Sequence, residues 1–199
     1  MKKNTIIPNR IIIATKNLDK FKITSELLSK FGLKGQYFNL NDFKIENSKE
    51  YGNTIERAKQ KAVNCRNYLK SKEKELENTI IVGIDDEIVI EKERKTGEDS
   101  KDMTNKILSG DNLKIGDIIK VMRIYYFIFS NGKKTSIKTT VPFVYLNNKK
   151  EVKREDSKYP LSKVLGHLGQ KKCVSEMTQK ETLNYNLFWS KNLQKISKK

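Results

Sequence analysis

The sequence predicts an α/β protein: a long mixed β-sheet flanked by helices, arranged as two lobes with a central cleft. Three observations predict it. An unbroken apolar run, Ile11, Ile12, Ile13 and Ala14, reads as a buried strand and feeds directly into a helical pattern. A second helical stripe is followed by another apolar run at 79–84. The middle of the chain then becomes β-rich around an Asn131-Gly132 hairpin signal, and a helix closes the chain. We read residues 1–199 as a single domain whose second lobe covers about residues 115–165.

Each element has its own warrant. The first helix is expected over 20–31, where Ile23, Leu27, Leu28 and Phe31 fall at helical spacing and Gly32 closes the last turn. A weak extended segment follows at 36–40. The second helix is expected over 54–69, with Ile55, Ala58, Ala62, Cys65 and Leu69 forming one stripe. Asn53 is its N-cap and Glu56 stands three residues on, the spacing of a capping box. A charged linker at 71–78 leads to the strand at 79–84. Asp85, Asp86 and Glu87 interrupt that run, which resumes at 88–90. A polar loop at 92–101 and a short helix over 102–108 come next. Strands at 117–130 and 135–146 flank the hairpin turn, and Pro142 marks an edge or a bulge in the second. The last helix is expected from 179 or 180 to 195.

Composition bounds the class. The formal net charge is +17, with 33% charged and 36% hydrophobic residues. Such a balance points to anionic ligands, nucleic acid or acidic surfaces. Its plain source is an abundance of Lys, Asn and Ile together, and the lysines are scattered along the chain. Cys65 and Cys173 stand far apart, outside any zinc or disulfide pattern, so a reducing compartment, the cytoplasm, is expected. No run of about 18 apolar residues is present to span a membrane. The basic start, MKKNTIIPNR, reads as a leader into the first strand, without the apolar region of a signal peptide.

Three constellations can carry chemistry. Thr15, Asn17 and Lys20 form a T-x-N-x-x-K turn between strand and helix. A helix N-terminus offers unpaired N–H groups and a positive dipole end, and a hydroxyl, an amide and an ammonium beside it suit phosphate. The plain reading is a capped helix with an exposed lysine. Next comes Glu50-Tyr51-Gly52-Asn53, where the Glu50 carboxylate precedes a glycine turn and suits a hard cation such as Mg²⁺. Glu56 is claimed by the helix cap. Lys61, about 140° around the helix from Glu56, is by default solvated. Third, Asp85 and Asp86 close an apolar strand, where open α/β sheets place ligands. Strand alternation turns one acid toward the cleft and leaves the other to brace the structure. A cleft-facing carboxylate can hold Mg²⁺ or act as a base toward water.

In this order the motifs resemble the inosine triphosphate pyrophosphatase (HAM1-like) family of nucleotide hydrolases. The chain reads ATKNLDK where the family has T/S-x-N-x-x-K. It reads EYGNTIERAKQKA where the family has an acidic-Gly-x-T turn and E-N-A-x-x-K-A. GIDDEIVI stands for the family's D-D-S-G-like segment, and TGEDSKDMTNKILSG looks like S-G-E-D-A-x-D-x-x-N. The likeness covers roughly the first half of the chain.

The resemblance implies a Mg²⁺-dependent hydrolase, usually dimeric, that converts ITP, dITP and XTP to the monophosphate and pyrophosphate. Carried over residue by residue, it has Thr15, Asn17, Lys20 and Lys61 on the triphosphate. It has Glu50 and Asp86 on the metal, Asp86 also activating water, and Glu56 and Asp85 supporting them or binding a second ion. The second half departs from the pattern. Where the family has F-G-[WY]-D, this chain has Ser157-Lys158-Tyr159-Pro160, so Tyr159 offers a stacking ring but the acid is lost. Thr182 replaces the lysine of E-L-x-x-x-E-K, and Asn186, Leu187 and Phe188 stand near the expected S-H-R. Base preference is therefore expected to shift, because discrimination comes from the buried donors that read a base. His167, the single histidine, reads as structural or exposed. The alternative is a catalytically degenerate protein that binds nucleotides or, less favoured, nucleic acid.

Overall fold

The computed structural model describes residues 10–42, 51–72, 76–93, 100–147 and 160–197. Six strands form one sheet in the order β2-β1-β3-β4-β5-β6: β1 Arg10–Thr15, β2 Gly35–Asn39, β3 Thr79–Ile90, β4 Ile118–Ile128, β5 Lys134–Tyr145 and β6 Leu165–His167. The sheet is mixed. β1 runs parallel to β2 and β3, and β6 runs antiparallel to β5. The helices are α1 Leu18–Ser29, α2 Thr54–Ser71, α3 Ser100–Ser109 and α4 Gln179–Trp189. The chain divides into two compact units, and the long strands β3, β4 and β5 each contribute residues to both.

The first unit comprises Met1–Asp85, Arg123–Thr139 and Lys191–Lys199. Its β1 lies between two parallel neighbours, which explains why four successive apolar side chains are all buried. Each such isoleucine contributes about 1.5–3 kcal/mol by leaving water. On one face Ile12, Ala14, Phe38 and Ile81 pack with Ala62, Cys65 and Leu69 of α2. Ile55 is not in that stripe; it sits exposed in the first turn of α2. Gly32 leaves α1 at φ +79, the left-handed conformation that ends a helix at little cost for glycine. Burial pushes the Cys65 thiol up to about 12, so it is chemically quiet.

The second unit comprises Asp86–Met122 and Thr140–Ser190. Its core joins Ile88 and Ile90 of β3, Met103 and Ile107 of α3, Ile119 and Val121 of β4, and Phe143 and Tyr145 of β5. Pro142 sits just before the β5 segment that pairs with β6, so its missing N–H interrupts no bond of that ladder. In the hairpin turn, which belongs to the first unit, Gly132 takes φ +81 and donates to the Phe129 carbonyl.

Two expectations are corrected. Asp85 and Asp86 do not end a strand: β3 runs unbroken for 12 residues through both acids and on to Ile90. For Asp85, paired countercharges make that continuity tolerable. The terminal helix stops at Trp189. Ser190 leaves helical geometry, and Lys191–Ile196 continues as a 3-10 turn that buries Leu193 and Ile196.

Candidate active site

At the end of β1 the chain turns on its own side chains. Thr15 is buried and its hydroxyl accepts from the Asn17 N–H at 3.1 Å. Asn17 caps α1: its Oδ1 accepts from the N–H groups of Asp19 at 2.8 Å and Lys20 at 3.0 Å. The expectation of unpaired helix N–H groups is thereby corrected, because two of the first-turn donors are occupied by the cap. What the turn presents toward the neighbouring strand is the Lys20 ammonium.

The second motif is built the same way. Asn53 Oδ1 accepts from Ile55 and Glu56 N–H, and Glu56 Oε2 accepts from Asn53 N–H at 2.8 Å. The Glu56 carboxylate is therefore spent on the capping box. Gly52 has φ +82, and a Cβ there would lie 2.1 Å from Glu56 Oε2, so only glycine fits the turn as built. Gly83 of β3 does comparable work one layer away. A Cβ on Gly83 would stand 2.1 Å from the Ala58 carbonyl and 2.6 Å from the Ala62 nitrogen. Helix α2 thus rests on bare backbone, which lowers its side chains onto β3.

That close approach assembles the charged centre. Lys61 Nζ donates to Asp85 Oδ1 at 2.7 Å and to the Ile84 carbonyl at 3.2 Å. Arg57, one turn earlier on the same helix face, donates from Nε to Asp85 Oδ2 at 2.6 Å. Its Nη1 donates to the Gly52 carbonyl at 3.0 Å and so ties the glycine turn to the same carboxylate. Lys20 Nζ lies 3.9 Å from Asp85 Oδ1. Asp85 is 5% exposed and Lys61 7%, so neither charge is solvated by water to any extent. A buried carboxylate survives because both oxygens carry charge-assisted bonds. The solvated lysine expected at position 61 is corrected: its ammonium is a buried partner of Asp85.

Lys20, Lys61 and Asp85 are brought together, with Thr15 and Asn17 shaping the turn beside them. Asp85 is paired with Lys61 and Arg57, and Asp86, the next residue along β3, is 7% exposed. Glu50 and Tyr159 lie outside the described residues. Among the described residues no three His, Cys, Asp or Glu side chains form a cation-holding group. Mg²⁺ asks for less, one or two carboxylates completed by phosphate oxygens and water, and Asp86 is a hard oxygen donor of that kind. Sequence reasoning passed over Arg57 and Gly83. The signals were present: an arginine four residues before Lys61, and a glycine inside an apolar run.

In the second unit His167 is buried and stacked on Tyr185, ring centroids 3.8 Å apart and planes 3° from parallel. The Tyr185 hydroxyl donates to the Pro142 carbonyl at 2.6 Å and accepts from the Leu168 N–H at 3.1 Å. Burial lowers the His167 pKa below the ordinary 6.5, against a smaller opposing pull from Glu181. Its place is structural. No helix among the described residues is long and apolar enough to cross a membrane.

No protein-family model matches the chain, and no curated protein sequence does. Solved structures match its fold. A HAM1 protein from Coxiella burnetii aligns with a TM-score of 0.60 at 12% identity, covering 94% of this chain and 97% of that one. The Ham1 protein of Staphylococcus aureus aligns at 0.57 and 12% identity, again over 94% and 97%. A nucleoside-triphosphatase / dITP/XTP pyrophosphatase from Mycobacterium abscessus aligns at 0.55 and 12% identity over the same shares. At that identity the likeness is one of fold, and the fold is the one that the motif order implied.

Proposed function

We propose that this chain, which shares its fold with the dITP/XTP pyrophosphatase and the two HAM1 proteins, is a Mg²⁺-dependent nucleoside triphosphate pyrophosphatase. Its substrates on this reading are non-standard purine triphosphates, ITP, dITP and XTP, with base preference altered by the replaced C-terminal groups. The observation that carries the reading is the cationic centre of Lys20, Arg57 and Lys61 around one buried carboxylate, beside the end of β1 and the middle of β3. The end of β1 is the kind of place where open α/β sheets take ligands, and a polyanion is the ligand that three cations select.

The roles follow from the chemistry of each group. Lys20 and Lys61 hold the triphosphate oxygens, with Thr15 and Asn17 fixing the turn that aims Lys20. Asp86, with Glu50, would hold Mg²⁺, which would supply positive charge against the phosphates. Asp86 also takes a proton from the attacking water. The water oxygen bonds to the α phosphorus, the bond to the bridging oxygen breaks, and pyrophosphate leaves. Tyr159 stacks on the base. The same reading makes the protein a cytoplasmic homodimer.

Asp86→Asn tests this directly. With ITP, XTP, dUTP and the common triphosphates in Mg²⁺, the variant should release pyrophosphate about 100-fold more slowly or worse, with an unchanged circular dichroism spectrum. Undiminished turnover would remove the mechanism. The second reading, a protein that binds nucleotides or nucleic acid without turnover, draws on the +17 charge. Absence of pyrophosphate from every triphosphate in the panel, with wild-type protein, would favour it.

A further inference from the structure

We infer that Asp85 is an internal stand-in for the ligand's phosphate, a counter-ion that the incoming polyanion must displace, and that Arg57 is the positioning residue that keeps it in place. Among the described residues, three cations face this one carboxylate. The contacts are graded. Arg57 and Lys61 hold the two oxygens at 2.6 and 2.7 Å, whereas Lys20 stands at 3.9 Å on the same oxygen as Lys61. Lys20 is also the more exposed of the two lysines, its side chain 19% accessible against 8%.

The grading has a physical consequence. Burying an ammonium is costly, and the Asp85 carboxylate offsets that cost for Lys61 when no phosphate is present. When phosphate arrives, the lysines exchange some or all of their carboxylate contact for phosphate oxygens. The observed affinity is then the difference between the two, as for any ligand that competes with an internal group. Arg57 sets how firmly Asp85 holds its lysines. With Oδ2 clamped by Arg57 Nε, and Arg57 itself tied to the Gly52 carbonyl, the carboxylate cannot turn both oxygens onto Lys20 and Lys61. With both oxygens so engaged, it is also withheld from a metal ion. Asp85 on this account is not a metal ligand.

The inference rests on the phosphate-binding reading of this cluster but not on turnover, so it is tested without either metal or hydrolysis. Inorganic tripolyphosphate is titrated calorimetrically into the full chain in EDTA, with orthophosphate as the short comparison. Wild-type protein should bind tripolyphosphate more tightly than orthophosphate. Asp85→Asn should melt at a lower temperature without ligand, yet bind tripolyphosphate about tenfold more tightly than wild type, because nothing need be displaced. Arg57→Gln should weaken binding by a similar factor, and Arg57→Lys should restore part of it. A carboxylate that merely scaffolds the lysines, or that binds metal, gives the opposite sign in Asp85→Asn: equal or weaker binding, which would overturn the inference.

Should Asp85→Asn not fold, the double variant Lys61→Met with Asp85→Asn removes both buried charges together, a change proteins tolerate better than the loss of one. It should keep wild-type affinity despite one fewer cation. A fall of about tenfold or more would contradict the displacement. Tripolyphosphate binding with these signs in a chain that hydrolyses no triphosphate would sink the proposed activity and leave this inference standing. Turnover with tripolyphosphate affinity indifferent to Asp85 and Arg57 would do the reverse.

Discussion

At the scale of single residues the site depends on one glycine. Gly83 lets α2 approach β3 until Lys61 and Arg57 reach Asp85. Gly83→Ala inserts a methyl where the Ala58 carbonyl and Ala62 nitrogen already stand. The helix must lift, at a cost of about 1–3 kcal/mol, and the lysine contact at 2.7 Å must lengthen. Thermal unfolding should show the destabilisation, and pyrophosphate release should fall further than stability alone explains. A variant as stable and active as wild type would show that α2 has slack to give. His167 offers a separate check in the second unit. Its pKa is lowered in the folded state, so the folded chain resists a proton that the unfolded chain accepts. Stability from this group is complete above the ordinary 6.5 and is lost as pH falls through the window between 6.5 and the lowered value. Melting temperature measured from pH 8 to 5 should fall more for wild type than for His167→Phe, which keeps a ring on Tyr185. Parallel curves would refute the assignment.

At the scale of elements, the helix starts were the most legible part of the sequence. Asn53 and Glu56 form the expected capping box, and Thr178 with Glu181 forms another at the head of α4. Asn53→Ala should cost about 1 kcal/mol, read as a shift in the denaturant midpoint without a change in slope. Because Arg57 ties the same turn to Asp85, the loss should also be felt in phosphate affinity; a purely local cap would leave affinity unmoved. The strand β3 was harder to read. Asp85 and Asp86 break an apolar pattern, and a pattern of side-chain polarity cannot register that Arg57 and Lys61, more than twenty residues away, neutralise one of them. The last helix was overextended for a related reason. Leu193 and Ile196 continue a helical spacing, but the chain leaves α4 at Ser190 and the 3-10 turn Lys191–Ile196 buries them in the first unit instead.

At the scale of the whole molecule, element order was legible because local signals ran in one direction: an apolar strand, a capped helix, another strand, a glycine hairpin. The mixed six-stranded sheet follows from that order, as β1 needs parallel neighbours on both sides to bury its isoleucines. Site chemistry was legible only in part. Thr15, Asn17 and Lys20 sit together in one turn, whereas the joining of Lys20 to Asp85 and Lys61 is a tertiary event that spacing does not encode. The base-reading half of the resemblance was already weak in the sequence, with Thr182 and Phe188 in place of a lysine and an S-H-R group.

The central claim is that this chain splits triphosphates between the α and β phosphates. Phosphorus nuclear magnetic resonance of ITP incubated with the full chain and Mg²⁺ tests it most directly. The account predicts that the triphosphate signals give way to inosine monophosphate and pyrophosphate in equal amounts, with no diphosphate intermediate. Inosine diphosphate accumulating with orthophosphate, or spectra that stay unchanged for ITP and XTP alike, would contradict it.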